Sequence, residues 1–270
     1  MKAPVRERII VLQYERLADE AYRKICDALL GFLAKDLADE FFVEERMNLP
    51  SVTLPVATLG SVEPDWAQLK ISVDRPSRFW NHDKTKCIQF YREYLTVNLI
   101  DDLEGKAVGS YEELCEFFVR LLPFLKLVDA DLHVRRAGID YQNLLIGDQL
   151  VDFVKQDGEF LEVADIFRND IVNVKIAGAR AQTPFRLETS YGQDPKQKTR
   201  FPALLRVTIN VPNRPKAGWR VYVLFSASAD FPGFAGDCIE EFLNDMHASV
   251  LAGFKTTFSD KIVSRAVVKQ

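Results

Sequence analysis

Residues 219–258 read WRVYVLFSASADFPGFAGDCIEEFLNDMHASVLAGFKTTF, and two periods follow one another within them. Val221, Val223, Phe225 and Ala227 recur at every second position, the period of a strand with one buried face. After a loop with proline and glycine, Ile239, Phe242, Leu243, Met246, Val250, Phe254 and Phe258 fall along one side of a helix. Asp237 stands where a cap is needed, with Glu240 three residues on, so the spacing predicts a helix from Asp237 to about residue 262.

The same pairing of strands with a helix recurs upstream. ALLRVTINV (203–211) alternates at Val207, Ile209 and Val211, and IVNVKIAGARAQTPFRLETSYG (171–192) is a further strand candidate. The loops GQDPKQKTRFP and PNRPKAG make these strands antiparallel neighbours. QLVDFVKQ and EFLEVADIF read as short elements before them.

In the first half, VRERIIVLQY (5–14) is a strand rich in β-branched residues. Tyr22, Ile25, Cys26, Leu29 and Leu33 then mark a helix running to about residue 35, with Asp19 as its expected cap. Residues 48–66, with three prolines and a glycine, predict an irregular connection. Residues 67–74 and 86–100 predict strands, the second with a bulge or a shift of covering layer where its apolar phase changes at Arg92 and Glu93. Ser110 and Glu113 form a capping box before a helix with Leu114, Phe117, Phe118 and Leu121 inward, kinked or ended near Pro123. Residues 131–146, DLHVRRAGIDYQNLLI, predict one more strand.

No strand–helix–strand alternation runs through the chain, so the expected class is α+β. The expectation is two architecturally similar halves, 1–147 and 148–270, each a mainly antiparallel sheet with a long amphipathic helix packed on it.

Composition excludes several classes of function. A 270-residue chain with 47% hydrophobic and 27% charged residues can bury a large core. Its net charge of -4 gives no global pull toward nucleic acid or anionic membrane. Cys26, Cys87, Cys115 and Cys238 lie far apart, so reduced and mostly buried thiols are expected. The opening MKAPVRERIIVLQYERL has no uninterrupted apolar core of a signal peptide, and FFVRLLPFLKLV (117–128) is too short to span a bilayer. A cytoplasmic protein with no membrane association is expected.

Four stretches together resemble a sporadically distributed, largely uncharacterised bacterial protein family of similar length: PVRERIIVLQYE, CIQFYREYLTVN, RRAGIDYQNLL and FLNDMHASVLAGFKTTFSD. The matching positions are Ile88 and Gln89, Gly138, Tyr141 and Asn143, and His247 and Phe254. Two features depart from the pattern, a polar insertion at 74–86 and Asp140 before the tyrosine. The resemblance implies a two-halved α+β fold and a bacterial or phage-associated setting, often beside mobile or defence genes, with no established activity.

The chemical candidates are few. His247 is either a general base at a cleft or an imidazole at the edge of the apolar stripe, bonded to Asn244 or a sheet carbonyl, and the packed state is the expected one. His82 and His133 lack the spacing of zinc ligands, so no metal and no cofactor are expected. Neither GxSxG nor a phosphate-binding GxxxxGK[ST] loop occurs. Lys196, Lys198 and Arg200 in one loop, with Arg214 and Lys216 in the next, form a candidate basic rim, more simply read as solvated hairpin ends. Arg92, Asp140, Tyr141, Asn143 and His247 are the candidate ligand-binding set.

The leading expectation is therefore a non-catalytic binding, assembly or regulatory accessory protein acting through protein contacts, as a homo-oligomer or with a protein partner. Exposed aromatics in the RFW and PGF loops would suit such an interface. The alternatives are an enzyme or small-ligand receptor with a pocket between the halves, and nucleic-acid binding through the basic loops.

Overall fold

The computed structural model describes residues 5–40, 43–46, 49–53, 70–74, 77–100, 109–146, 155–156, 159–160, 167–168, 185–192, 200–211, 220–260 and 263. Its elements in chain order are β1 (Val5–Gln13), α1 (Asp19–Asp36), β2 (Val43–Arg46), β3 (Leu49–Thr53), β4 (Lys70–Asp74), β5 (Ser77–Trp80), β6 (Lys86–Phe90) and β7 (Tyr94–Ile100). Then come α2 (Tyr111–Leu132), β8 (Arg136–Ile146), β9 (Lys155–Gln156), β10 (Glu159–Phe160), β11 (Phe185–Tyr191), β12 (Leu204–Val211), β13 (Arg220–Asp230) and α3 (Gly236–Thr257).

Nine strands form one sheet in the order β11-β12-β13-β8-β1-β7-β6-β5-β2, and each of its strand pairs is antiparallel. The fold is α+β, with helices packed on a large antiparallel sheet. That sheet passes through both expected halves, because β8 pairs with β1 on one side and β13 on the other.

Alternation sorts the side chains onto the two faces. Ile10, Leu12, Val97, Ile88, Ile139, Phe225 and Val207 point to the face that the helices cover and are at most 1% exposed. The stripe expected in α1, Tyr22 to Leu33, is its buried set, and α3 buries Ile239, Phe242, Leu243, Met246 and Val250. These side chains belong to one continuous cluster with Phe117, Phe118, Leu121 and Phe124 of α2. Burial of many such side chains, each worth roughly 1.5–3 kcal/mol, is what holds helices of modest propensity to the sheet.

Several local expectations are corrected. Asp19 does not cap α1, whose N-cap is Ala18 with no side-chain bond, and Asp19 pairs instead with Arg92. Asp237 is likewise not the cap of α3, which begins after Ala235. The phase change at Arg92 and Glu93 is a hairpin turn between β6 and β7 rather than a bulge.

The Ser110–Glu113 capping box forms in full, but α2 continues through Pro123 to Leu132. His133 ends that helix in the left-handed region, φ 47°, and the next strand starts only at Arg136. Proline in a helix interior removes one backbone bond; tertiary packing on both sides, through Leu121 and Phe124 among others, holds the helix together. The irregular stretch contains β3, paired with β4, and the polar insertion contains β5.

Candidate functional site

Tyr141 and His247, far apart in sequence, meet between sheet and helices. Strand alternation turns Tyr141 of β8 toward α3, and the helical period brings His247 beside the buried Met246 and Val250. The Tyr141 hydroxyl lies 2.6 Å from His247 Nδ1. The Tyr111 ring, on the first turn of α2, stacks on the imidazole at 3.9 Å with an interplanar angle of 2°. Tyr111 also donates its hydroxyl to Asn244 Oδ1 at 3.0 Å, so Asn244 serves Tyr111 and not the histidine. Arg8 of β1 closes the group, donating to the Gly109 carbonyl at 2.7 Å and lying over the Tyr141 ring.

Burial sets the electrostatics of this group. His247 is pushed down to about 4, chiefly by desolvation, with the nearby Glu112 pulling up and Arg8 pushing further down. Desolvation also raises both tyrosines above their ordinary value. A general base works best with a pKa near the working pH. An imidazole at about 4, with one ring nitrogen committed to Tyr141 and one face covered by Tyr111, is suited to joining α2, α3 and β8.

The other candidates lie elsewhere. Arg92 sits at the β6–β7 turn, ion-paired with Asp19, its guanidinium over the Tyr22 ring. Asp140, next to Tyr141, points to the opposite face of the sheet, where Ser226 and Arg206 lower its pKa and Glu7 raises it. Burial dominates and pushes its carboxyl up to about 6. On that same face Asn98, 1% exposed, donates to Glu7, while Asn98 Oδ1 and Thr96 Oγ1 are buried without a partner. Asn143 pairs through its backbone with Val223. The Tyr141–His247 pair, Asp140 and Arg92 therefore divide between the two faces and one sheet end rather than converging on one cavity.

Of the basic rim, Arg200 is described and the other four lysines and arginines lie outside the described residues. Arg200 is exposed, paired with Glu241 and donating to Cys238 Sγ at 3.4 Å. Among the described residues, no three histidine, cysteine or acidic side chains are placed to hold a metal ion. All four cysteines are free thiols; burial raises Cys26 and carries Cys87 up to about 12.

The aromatic loops are also corrected. RFW belongs to β5, where Phe79 is wholly buried, and Phe234 of PGF is 5% exposed, so neither offers a free aromatic surface of the kind expected. Besides Val43 of β2 and Tyr191 of β11 at the sheet edges, the exposed apolar side chains that sequence reading missed are two on α2: Val119 is 53% and Leu127 77% exposed. Their spacing of two helical turns, with Pro123 midway, was the available signal, but it was hidden within an almost continuous apolar run.

No described helix is long and apolar enough to cross a membrane. The chain matches neither a protein-family model nor a curated protein.

Proposed function

We propose that this chain is a non-catalytic binding or assembly protein, an accessory or regulatory component of a bacterial or phage-associated system such as a defence locus. It acts through protein contacts, with a partner or with further copies of itself. The observation that carries this reading is the solvent face of α2, where Val119, Pro123 and Leu127 form an exposed stripe on the middle of the helix layer. Removing such side chains from water favours association by roughly 25 cal/mol per Å². Pro123 adds polar character, because the Val119 carbonyl has no amide hydrogen four residues on to accept.

The commitment of His247 to Tyr141 and Tyr111 supports the same reading, since it spends the best chemical group on cohesion. Strand order supports the expected kinship of the halves. Outward from the centre of the sheet, β1-β7-β6-β5 is matched by β8-β13-β12-β11, and α2 follows β7 as α3 follows β13. Such an arrangement would follow from duplication of one strand-rich unit with a closing helix.

The test is retention by the immobilised full chain, wild type against Val119→Asp and Leu127→Asp. The reading expects a specific protein, or the chain itself, to be held by wild type and lost by both variants. Wild type that holds nothing and is monomeric at all concentrations contradicts it.

A further inference from the structure

We propose that a groove at the joined ends of β8, β12 and β13 binds a free α-amino acid with an apolar side chain. This goes beyond the contact-based reading above and stands independently of it. The groove has a volume of about 490 Å³, with Arg136, Arg200, Phe201, Pro202, Leu204 and Asp230 among its lining residues. That volume lies in the range of small-molecule sites, roughly 300–1,000 Å³.

The charges define the ligand. Arg136 is half-buried, and its Nη2 donates to the carbonyl and hydroxyl of Ser228 at 3.4 and 3.2 Å. Among the described residues no carboxylate pairs with it. Asp230 stands directly opposite it in the β8–β13 register, yet the two form no ion pair. Arg200, the second cation on the wall, is already neutralised by Glu241.

The groove thus offers one guanidinium and one carboxylate on neighbouring strands, beside an apolar wall of Phe201, Pro202 and Leu204. A carboxylate suits the guanidinium fork and an ammonium suits Asp230. A zwitterion satisfies both at once, and its side chain covers the wall.

The test is calorimetric titration of the full chain with L-leucine, leucinamide, N-acetyl-leucine and inorganic phosphate. Leucine is expected to bind at least about tenfold more tightly than either analogue that lacks one charge, because each forgoes one of the two charge-assisted contacts. Arg136→Gln should abolish the preference for leucine over leucinamide. Asp230→Asn, an exposed position whose substitution spares the core, should abolish the preference for leucine over N-acetyl-leucine. The proposal is overturned if leucine, isoleucine, valine, methionine and phenylalanine all fail to bind. Unchanged leucine affinity in a folded Arg136→Gln variant, or phosphate binding as tightly as leucine, also overturns it.

Discussion

The hydroxyl of Tyr141 lies 2.6 Å from Nδ1 of His247, a bond that ties the central strand β8 to the closing helix α3. Tyr141→Phe keeps the ring and leaves that nitrogen without its partner, so it should cost about 1–2 kcal/mol of unfolding free energy. His247→Ala also loses the stack on Tyr111 and should cost about 2–3 kcal/mol. Urea denaturation measures both. A His247→Ala chain as stable as wild type would remove the cohesive role assigned to this imidazole.

Protonation makes two opposed contributions. His247 titrates at about 4 when folded and near 6.5 when unfolded, so its share of stability is complete above about 6.5 and falls as the pH drops toward 4. Asp140 runs the other way: raised from 3.8 to about 6, it keeps in the folded state a proton that the unfolded chain has released. Its share is complete below about 3.8 and falls as the pH rises through 6. Between about pH 4 and 6 the two offset. Asp140→Asn should therefore gain on wild type as the pH rises to 7, and its stability should drop more steeply on acidification. Parallel wild-type and variant curves of stability against pH would refute this.

Gly138 is required by the close approach of β13 to β8. A Cβ built there falls 2.3 Å from the Ala227 carbonyl oxygen and 2.8 Å from Ser228 Cβ, and the first obstacle is backbone that belongs to β13. Gly138→Ala should destabilise by about 2–4 kcal/mol, as overpacking with strand displacement does. A loss below measurement error would mean that β8 and β13 separate more readily than their full register implies.

The start and the middle of α2 can be tested separately. Ser110→Ala removes the acceptor for the Glu113 amide and should cost about 1 kcal/mol. Pro123→Ala should restore the missing backbone bond and stabilise the helix by about 1–3 kcal/mol. Helicity and unfolding midpoint report both changes. Destabilisation by Pro123→Ala would show that the proline is held for packing the sequence does not reveal.

Strands and helix faces were legible because their cause is periodic. The buried side of α1 was read residue for residue, and β12 and β13 fell where alternation placed them. What failed depended on competition between local and tertiary effects. Asp19 and Asp237 have the chemistry of caps, but Asp19 is drawn to Arg92 and the cap position of α3 falls at Ala235, upstream of Asp237. Pro123 marks a break in isolation, whereas burial of Leu121, Phe124 and Leu125 keeps α2 intact across it. Tyr141 and His247 were legible as members of one candidate polar set, but their direct bond to each other was not. Which faces meet depends on strand order, and neither periodicity nor spacing carries that order. Arg136 and Asp230 escaped notice for the same reason, being neighbours only through the pairing of β8 with β13.

Hydroxyl-radical footprinting of the purified full chain at low and high protein concentration, and with any captured partner added, tests the central claim most directly. The account predicts that Val119 and Leu127 of α2 become protected on association, while the edge residues Val43 and Tyr191 keep their reactivity. Protection confined to the sheet edges, with Val119 and Leu127 as reactive as in the isolated chain, would contradict it.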